Sequence, residues 1–344
     1  MSIIKLGDRP IGEGNPCFLI AEVGTTSLGD LDRAIALVDA SAEAGVDSVK
    51  FQVIDATQLS ESATTFPMQI DGAVHHVNMG EMFRRLEFSQ EQWRKIAHHA
   101  HQRKLLFFAT ADYVGGVDLL EEIGVPLHKI GAWDATFWPL IDRIGRTKKP
   151  LMVDLGPTTV EEIEKIERWY VRAGGAGPII YLHDYHTLLP EQMNMRAIEW
   201  LIARGKGPVG FSSPNRDCDV DFLSIALGAE LIEKRLTLDA NDAAFHAHES
   251  LTPSELRDWV VRVRAAEAAL GKAEIRPSQK DLDDKSRYYR SICALTDIRA
   301  GELFTPANLG AKRPGSGIAT DQLPRFWGTR AHADISMNTL LDTQ

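Results

Sequence analysis

The strongest constraint on this chain is a rhythm. From about residue 17 to residue 271, short apolar runs alternate with longer amphipathic ones. Eight short runs can be counted: CFLIAEV, SVKFQVI, LLFFATA, LHKIGAW, PLMVDLG, PIIYLHD, PVGFSS and LIEKRL, each rich in β-branched or aromatic residues. Between them lie helical patterns such as LDRAIALVDASAEAG, SQEQWRKIAHHAHQRK, TVEEIEKIERWYVRAG and SELRDWVVRVRAAEAALG. Several open after Asp, Ser or Thr and stop at Gly, as helix caps require. Strands that alternate with helices pair in parallel, because each crossover helix returns the chain to the same end of the sheet. Eight such units predict an α/β chain closed into a (β/α)8 barrel rather than an open sheet.

Such a barrel takes roughly 250 residues, so a chain of 344 has room for a second, small domain. The predicted division is a barrel over 1–272, a linker over 273–284 where IRPSQKDLDDKS is polar and carries a proline, and a β-rich domain over 285–344. The longest connection inside the barrel, Asp55 to Phe88, reads as a functional lid. Its His75 and His76 are adjacent on a loop and read as solvated.

Composition narrows the function classes. A net charge of −10 argues against a general nucleic-acid binder, since phosphate neutralisation needs a basic surface. From Lys285 onward, eight Lys or Arg face five Asp or Glu, so the tail is +3 while the preceding residues carry −13. Cys17, Cys218 and Cys293 have no paired spacing and read as small buried hydrophobes. No apolar run approaches the roughly 20 residues of a membrane span, and MSIIKLGDRP lacks a signal-peptide core, so a soluble cytoplasmic protein is expected.

Barrel enzymes place their chemistry at the C-terminal ends of the strands. The polar residues there are Glu22, Lys50 with Gln52, Thr110 with Asp112, Lys129 with Asp134, Asp154, His183 with Asp184, Ser212 with Ser213, and Glu233 with Lys234 and Arg235. Lys50 and Lys129 interrupt otherwise apolar strands, in SVKFQV and HKIGAW, which points to a phosphate or carboxylate ligand. The competing reading pairs each lysine with Glu22, Asp134 or Asp154 across the barrel, and the two readings can coexist.

These residues resemble the sialic acid (N-acetylneuraminate) synthases and their legionaminic and pseudaminic acid relatives. The resemblance covers nearly the whole chain. It rests on FLIAEVGTTSLGDLDRAIALVDASAEAGVDSVKFQ, MFRRLEFS, FFATA, KIGAWD with PLI, and the tail segments DIRAGELFTPANL and KRPGSG, which match a C-terminal antifreeze-like (SAF) domain. It implies a TIM barrel that condenses phosphoenolpyruvate with the open-chain aldehyde of an N-acylated amino sugar, giving a 3-deoxy-2-keto acid and phosphate. On that view Lys50 and Lys129 hold phosphoenolpyruvate, Glu22 orients the attacking water or moves protons, and Thr110 and Ser212 supply hydroxyl contacts. Gln52, His183, Ser213 and His246 join the substrate-binding set, and Asp134 keeps a carboxylate where the family usually has Glu. Arg313, in the RPG motif, matches an arginine that reaches the sugar in a partner subunit, so a domain-swapped homodimer is implied.

Departures from the family pattern bear on the metal. The family's two histidines for a divalent ion, Mn2+ or Mg2+, align with Pro214 and Arg235, neither of which binds a metal as imidazole does. Three outcomes stay open: ligands relocated to His183, Asp184, His186, His246 or Glu249; chemistry without a metal; or lost synthase activity. The favoured expectation is metal-independent chemistry, with Arg235 hydrogen-bonding the developing alkoxide. Thr26, Ser27 and the His246 region are expected to face the sugar. Two rival functions remain: condensation on a non-sialic sugar or nucleoside aldehyde, and a non-catalytic ligand-binding barrel.

Overall fold

All eight predicted strands form: β1 (Phe18–Glu22), β2 (Ser48–Val53), β3 (Leu106–Ala111), β4 (His128–Ile130), β5 (Leu151–Asp154), β6 (Ile179–His183), β7 (Val209–Ser213) and β8 (Leu231–Arg235). Hydrogen bonding closes them in the order β6-β7-β8-β1-β2-β3-β4-β5, every pair parallel. The computed structural model describes residues 3–12, 14–70, 73–187, 189–242 and 244–342, with nothing described of the side chains of 68–70, 73 and 74.

Each strand is followed by a helix: α1 (Leu31–Ala44), α2 (Gln90–Gln102), α3 (Val114–Ile123), α4 (Trp138–Thr147), α5 (Val160–Arg172), α6 (Ala197–Arg204), α7 (Asp219–Ala226) and α8 (Pro253–Leu270). Local chemistry sets their ends. Ser89 with Gln92, Thr159 with Glu162 and Thr252 with Glu255 form reciprocal capping boxes on α2, α5 and α8. Asp30 caps α1, which stops at Gly45 in the left-handed region.

Alternation along the strands divides the chain into an inner and an outer face. Phe51 and Phe107 point outward and meet Trp93 of α2, with ring centroids 5.8 and 6.5 Å away. Their neighbours Lys50, Gln52 and Phe108, and Thr110 two positions beyond Phe108, therefore face the interior. Gly210 is required on the inner face, because a Cβ there would lie 2.5 Å from Leu182 Cδ2 and 2.8 Å from the Leu231 carbonyl oxygen. Lys234 points outward. Its ammonium donates to Ser213 Oγ at 2.9 Å and Asp221 Oδ2 at 2.8 Å, while Trp259 Nε1 donates to the same Asp221 oxygen at 2.7 Å, tying β8 to α7 and α8.

The predicted lid is an ordered excursion: a short helix (Ala56–Leu59), an antiparallel hairpin of Thr65–Ile70 with Ala73–Asn78, and a helix (Met79–Arg84) capped by Asn78. Phe66 meets Phe245 edge-on at 5.4 Å, so the hairpin reaches the loop that follows β8. His75 and His76 are exposed. Cys17 and Cys293 are buried free thiols, and Cys218 is half-buried. Among the described residues, no helix is long and apolar enough to cross a membrane.

The chain separates into two units, Met1–Gly271 and Lys272–Gln344. The second has its own core around Ile292, Ile298, Phe304 and Leu309, with β9 (Ser291–Ala294) antiparallel to β10 (Leu309–Lys312). One expectation changes here. Half of the predicted 273–284 linker is helical, because Ser278 and Asp281 form a capping box that opens α9 (Gln279–Tyr288). That helix buries none of its residues, so it left no apolar periodicity to read.

Candidate active site

Inside the barrel, register brings the inward polar residues together: Glu22 pairs with Lys50, Gln52 with Thr110, Thr110 with Lys129, Ser212 with Glu233, and Arg235 with Glu22. Lys129 Nζ lies 2.6 Å from Glu233 Oε2 and 2.9 Å from Asp154 Oδ2. Lys50 Nζ lies 3.0 Å from Glu233 Oε1 and pairs with Glu22 Oε2. The Lys129 side chain is 0% exposed and that of Lys50 is 5%, so neither charge could persist there without compensation. Both readings of the lysines therefore have a basis. Pairing is realised through Glu22 and Asp154, with Glu233 rather than Asp134 as the third carboxylate.

The protonation pattern follows from burial and neighbours. Burial opposes ionisation of Glu233, yet Lys129 and Lys50 hold its carboxyl down at about 2. Burial likewise opposes the Lys50 charge, and Glu22, Glu233 and Asp154 more than restore it, so the ammonium titrates above the usual lysine range. For Asp154 burial outweighs Lys129, and its carboxyl is raised. Burial and Asp134 push Asp112 well up, and burial raises Asp134 itself.

The cluster retains capacity for a ligand. A lysine ammonium has three N–H donors, and among the described residues each lysine directs its charge at two carboxylates. Thr110 Oγ1 and Asp154 Oδ1 are buried and have no hydrogen-bond partner among the described residues. Buried polar groups as a rule have partners, so these two oxygens are free to bond a molecule held between the lysines. Glu22 Oε1 accepts from the Gly24 backbone at 2.8 Å, which fixes the carboxylate at the head of β1.

Around the rim, Arg235 Nη1 donates to the Pro214 carbonyl at 2.9 Å and to Glu249 Oε2 at 2.5 Å. His246 follows Phe245 at 3.9 Å between ring centroids, and burial together with Arg235 depresses its ring to about 2, leaving it neutral. Asp184, one residue past β6, has its carboxyl raised to about 7 by burial and by Asp154. Its Oδ2 lies 3.5 Å from His186 Nε2. Among the described residues, no three His, Cys, Asp or Glu side chains converge as a metal ion requires. The guanidinium of Arg235, already bonded to Pro214 and Glu249, occupies the place where the resemblance implied a histidine ligand. The residues present do not fit that ion.

Several predicted contacts are corrected. His183 lies on the outer face, where its Nε2 meets the Met193 carbonyl oxygen at 2.9 Å and its ring stacks on Phe211 at 6.2 Å. Ser213 is also outward, bonded to Lys234. Thr26 and Ser27 are buried and donate to the Leu236 carbonyl at 2.6 Å and the Gly24 carbonyl at 2.8 Å, so they hold the first loop instead of facing a sugar. Arg313 keeps its expected place in the second unit, where its Nε donates to the Tyr288 carbonyl at 2.6 Å. Sequence reasoning had Asp154 and Glu233 among the strand-end residues and passed over them as site members. Strict alternation in LIEKRL, with Lys234 outward, is the signal that would have put Glu233 inside.

Residues 37–275 match the NeuB family and residues 289–343 match the SAF domain. An uncharacterized protein of Methanocaldococcus jannaschii is 33% identical, covering 94% of this chain and 92% of its own. The N,N'-diacetyllegionaminic acid synthase of Campylobacter jejuni is 29% identical, covering 94% of this chain and 98% of its own. The crystal structure of an N-acetylneuraminic acid synthetase from Leptospira borgpetersenii superposes with a TM-score of 0.73 at 26% identity, covering 82% of this chain and 95% of that one. These matches set aside the reading of a non-catalytic scaffold. The chain belongs to the NeuB family, is an enzyme of the sialic acid synthase-like kind, and carries a C-terminal SAF domain.

Proposed function

We propose that this enzyme condenses phosphoenolpyruvate with a sugar aldehyde to give a nonulosonic-type 3-deoxy-2-keto acid and phosphate, and does so without a divalent metal. In the reaction C3 of phosphoenolpyruvate forms a bond to the aldehyde carbon, water adds at C2, and phosphate leaves. The observation that carries the reading is the buried pair Lys50 and Lys129, whose charges lie inside the barrel beside Thr110 Oγ1 and Asp154 Oδ1, neither of which has a hydrogen-bond partner among the described residues. A multiply charged phosphate ester suits two point-like ammonium groups.

Roles follow from placement. Lys50 and Lys129 hold the phosphate and carboxylate of phosphoenolpyruvate, with Gln52, Thr110 and Ser212 as hydrogen-bond partners on the same inner face. Glu22, fixed by the Gly24 backbone, orients the water that adds to C2. Asp134, whose carboxyl burial raises, is the acid–base group at the rim. Arg235 supplies guanidinium hydrogen bonds to the oxygen that becomes an alkoxide, the service a Lewis acid would otherwise perform. Neutral His246 faces the acceptor from the loop after β8. The relatives' names favour an N-acylated amino sugar as acceptor. The same reading makes the protein a cytoplasmic, domain-swapped homodimer in which Arg313 of each subunit serves the other's barrel. Arg313→Ala then weakens acceptor use and leaves phosphoenolpyruvate affinity nearly intact.

Calorimetric titration of phosphoenolpyruvate into the wild type, Lys50→Met and Lys129→Met, all in EDTA, tests the proposal. Binding by the wild type and its loss in both variants is expected. No binding by the folded wild type, or equal affinity in both variants, contradicts the anion site.

A further inference from the structure

Trp133 is 76% exposed, although it sits in the turn directly after β4, at the end of the barrel where the polar rim lies. A tryptophan leaves that much apolar surface in water only at a cost, so its position calls for a reason. It is held in place. Its indole stacks on the His186 ring at 4.6 Å between centroids and 26° between planes. His186 reaches this position because residue 156 is glycine: a Cβ there would lie 2.6 Å from His186 Cε1 and 3.1 Å from Ala132 Cβ. Three loops, those after β4, β5 and β6, thus meet to build one aromatic stack.

The stack has a polar edge. His186 Nε2 is 3.5 Å from Asp184 Oδ2, and Asp134 follows Trp133 in the same turn. Asp184 and His186 also stand at one edge of a cavity of about 730 Å³ that runs outside the sheet between α5 and α6, with Ile163 and Trp200 in its wall and Trp133 beyond it. An apolar plate bordered by carboxylates matches the two surfaces of a sugar, whose C–H face packs on an aromatic ring while its hydroxyls donate hydrogen bonds.

We propose that Trp133 and His186 form a lip that binds the apolar face of the acceptor sugar and thereby selects which sugars reach Lys129 and Arg235. The inference rests on the reading of the enzyme as a sugar-condensing synthase and names the residue that sets acceptor choice. Loss of the indole removes contact with the sugar and leaves the buried lysines untouched, so the effect falls on the acceptor alone.

The test uses Trp133→Ala and Trp133→Phe in the full chain, with N-acetylmannosamine, N-acetylglucosamine and N-acetylgalactosamine as probes. Saturation-transfer NMR measures sugar binding without turnover, and steady-state kinetics measures KM for sugar and for phosphoenolpyruvate separately. Trp133→Ala should weaken the best-bound sugar about tenfold, equivalent to about 1.4 kcal/mol, with the KM for phosphoenolpyruvate unchanged and Trp133→Phe close to wild type. Sugar binding that depends on Trp133 in a protein with no turnover would sustain the lip and refute the condensation reading. Binding of none of the three sugars, equal binding by wild type and Trp133→Ala, or a Trp133→Ala chain that loses only self-association by sedimentation would overturn the lip.

Discussion

Lys129 Nζ and Glu233 Oε2 meet at 2.6 Å across the width of the barrel, for β4 and β8 stand opposite one another in the closed strand order. The same Glu233 reaches Lys50 through its other oxygen at 3.0 Å, so one carboxylate on β8 links two lysines on different strands. A buried pair of this kind adds little net stability, but removing one partner leaves a charge stranded in a low-dielectric interior.

Glu233→Gln should therefore cost about 3–5 kcal/mol in urea unfolding at neutral pH. Its pH dependence is also fixed in sign. The Glu233 carboxyl is depressed to about 2 in the folded chain, against about 4.3 for an unperturbed Glu. Its contribution is present above the unfolded value and disappears as pH falls toward the folded one. The variant should lose stability less steeply than the wild type over that acid range, and an unchanged acid limb would refute the assignment.

Asp184 carries the opposite sign. Burial and Asp154 raise its carboxyl to about 7, against about 3.9 for an unperturbed Asp. The folded state then binds the proton more tightly, so the contribution of Asp184 to stability is fully present below about pH 4 and declines as pH rises toward 7. Asp184→Asn should flatten that decline, as read from thermal midpoints across the interval. An equal slope in both proteins would show that the group is not buried beside Asp154.

Arg235→Ala should lower kcat by about 10²–10³-fold, the usual loss when one donor to a developing oxyanion is removed, with the KM for phosphoenolpyruvate little changed. Guanidinium chloride at millimolar concentration should restore part of the rate. A kcat equal to wild type would remove Arg235 from the reaction.

Lys234 adjoins Glu233 in sequence and faces the other way, with its side chain 1% exposed against Asp221 at 0%. Lys234→Met should destabilise by about 3–5 kcal/mol, since Asp221 is left uncompensated, while the folded fraction keeps wild-type kcat/KM. A catalytic defect at full folding would mean that Lys234 reaches the interior.

The barrel was legible because strand and helix periods differ, and eight clean alternations leave few topologies to consider. Lys50 and Lys129 were legible for a related reason: a charge inside an apolar strand is costly and stands out. Glu233 and Asp184 were harder. A charged residue at a strand end can turn inward or outward, and one step of register decides, as the neighbours Glu233 and Lys234 illustrate. His183 failed for that same reason, since its parity places it with Phe211 outside the sheet while Asp184 lies past the strand end beside Asp154. The stack of Trp133 on His186 was invisible in sequence, because it joins loops 53 positions apart through the space left by Gly156.

Phosphate release from phosphoenolpyruvate, measured with and without N-acylated amino sugars, in EDTA and again with Mn2+, tests the central claim most directly. Release that requires a sugar aldehyde and persists in EDTA is the expected result. Release that needs no acceptor, or none under any condition, would contradict the condensation, and release confined to the Mn2+ arm would contradict its metal independence.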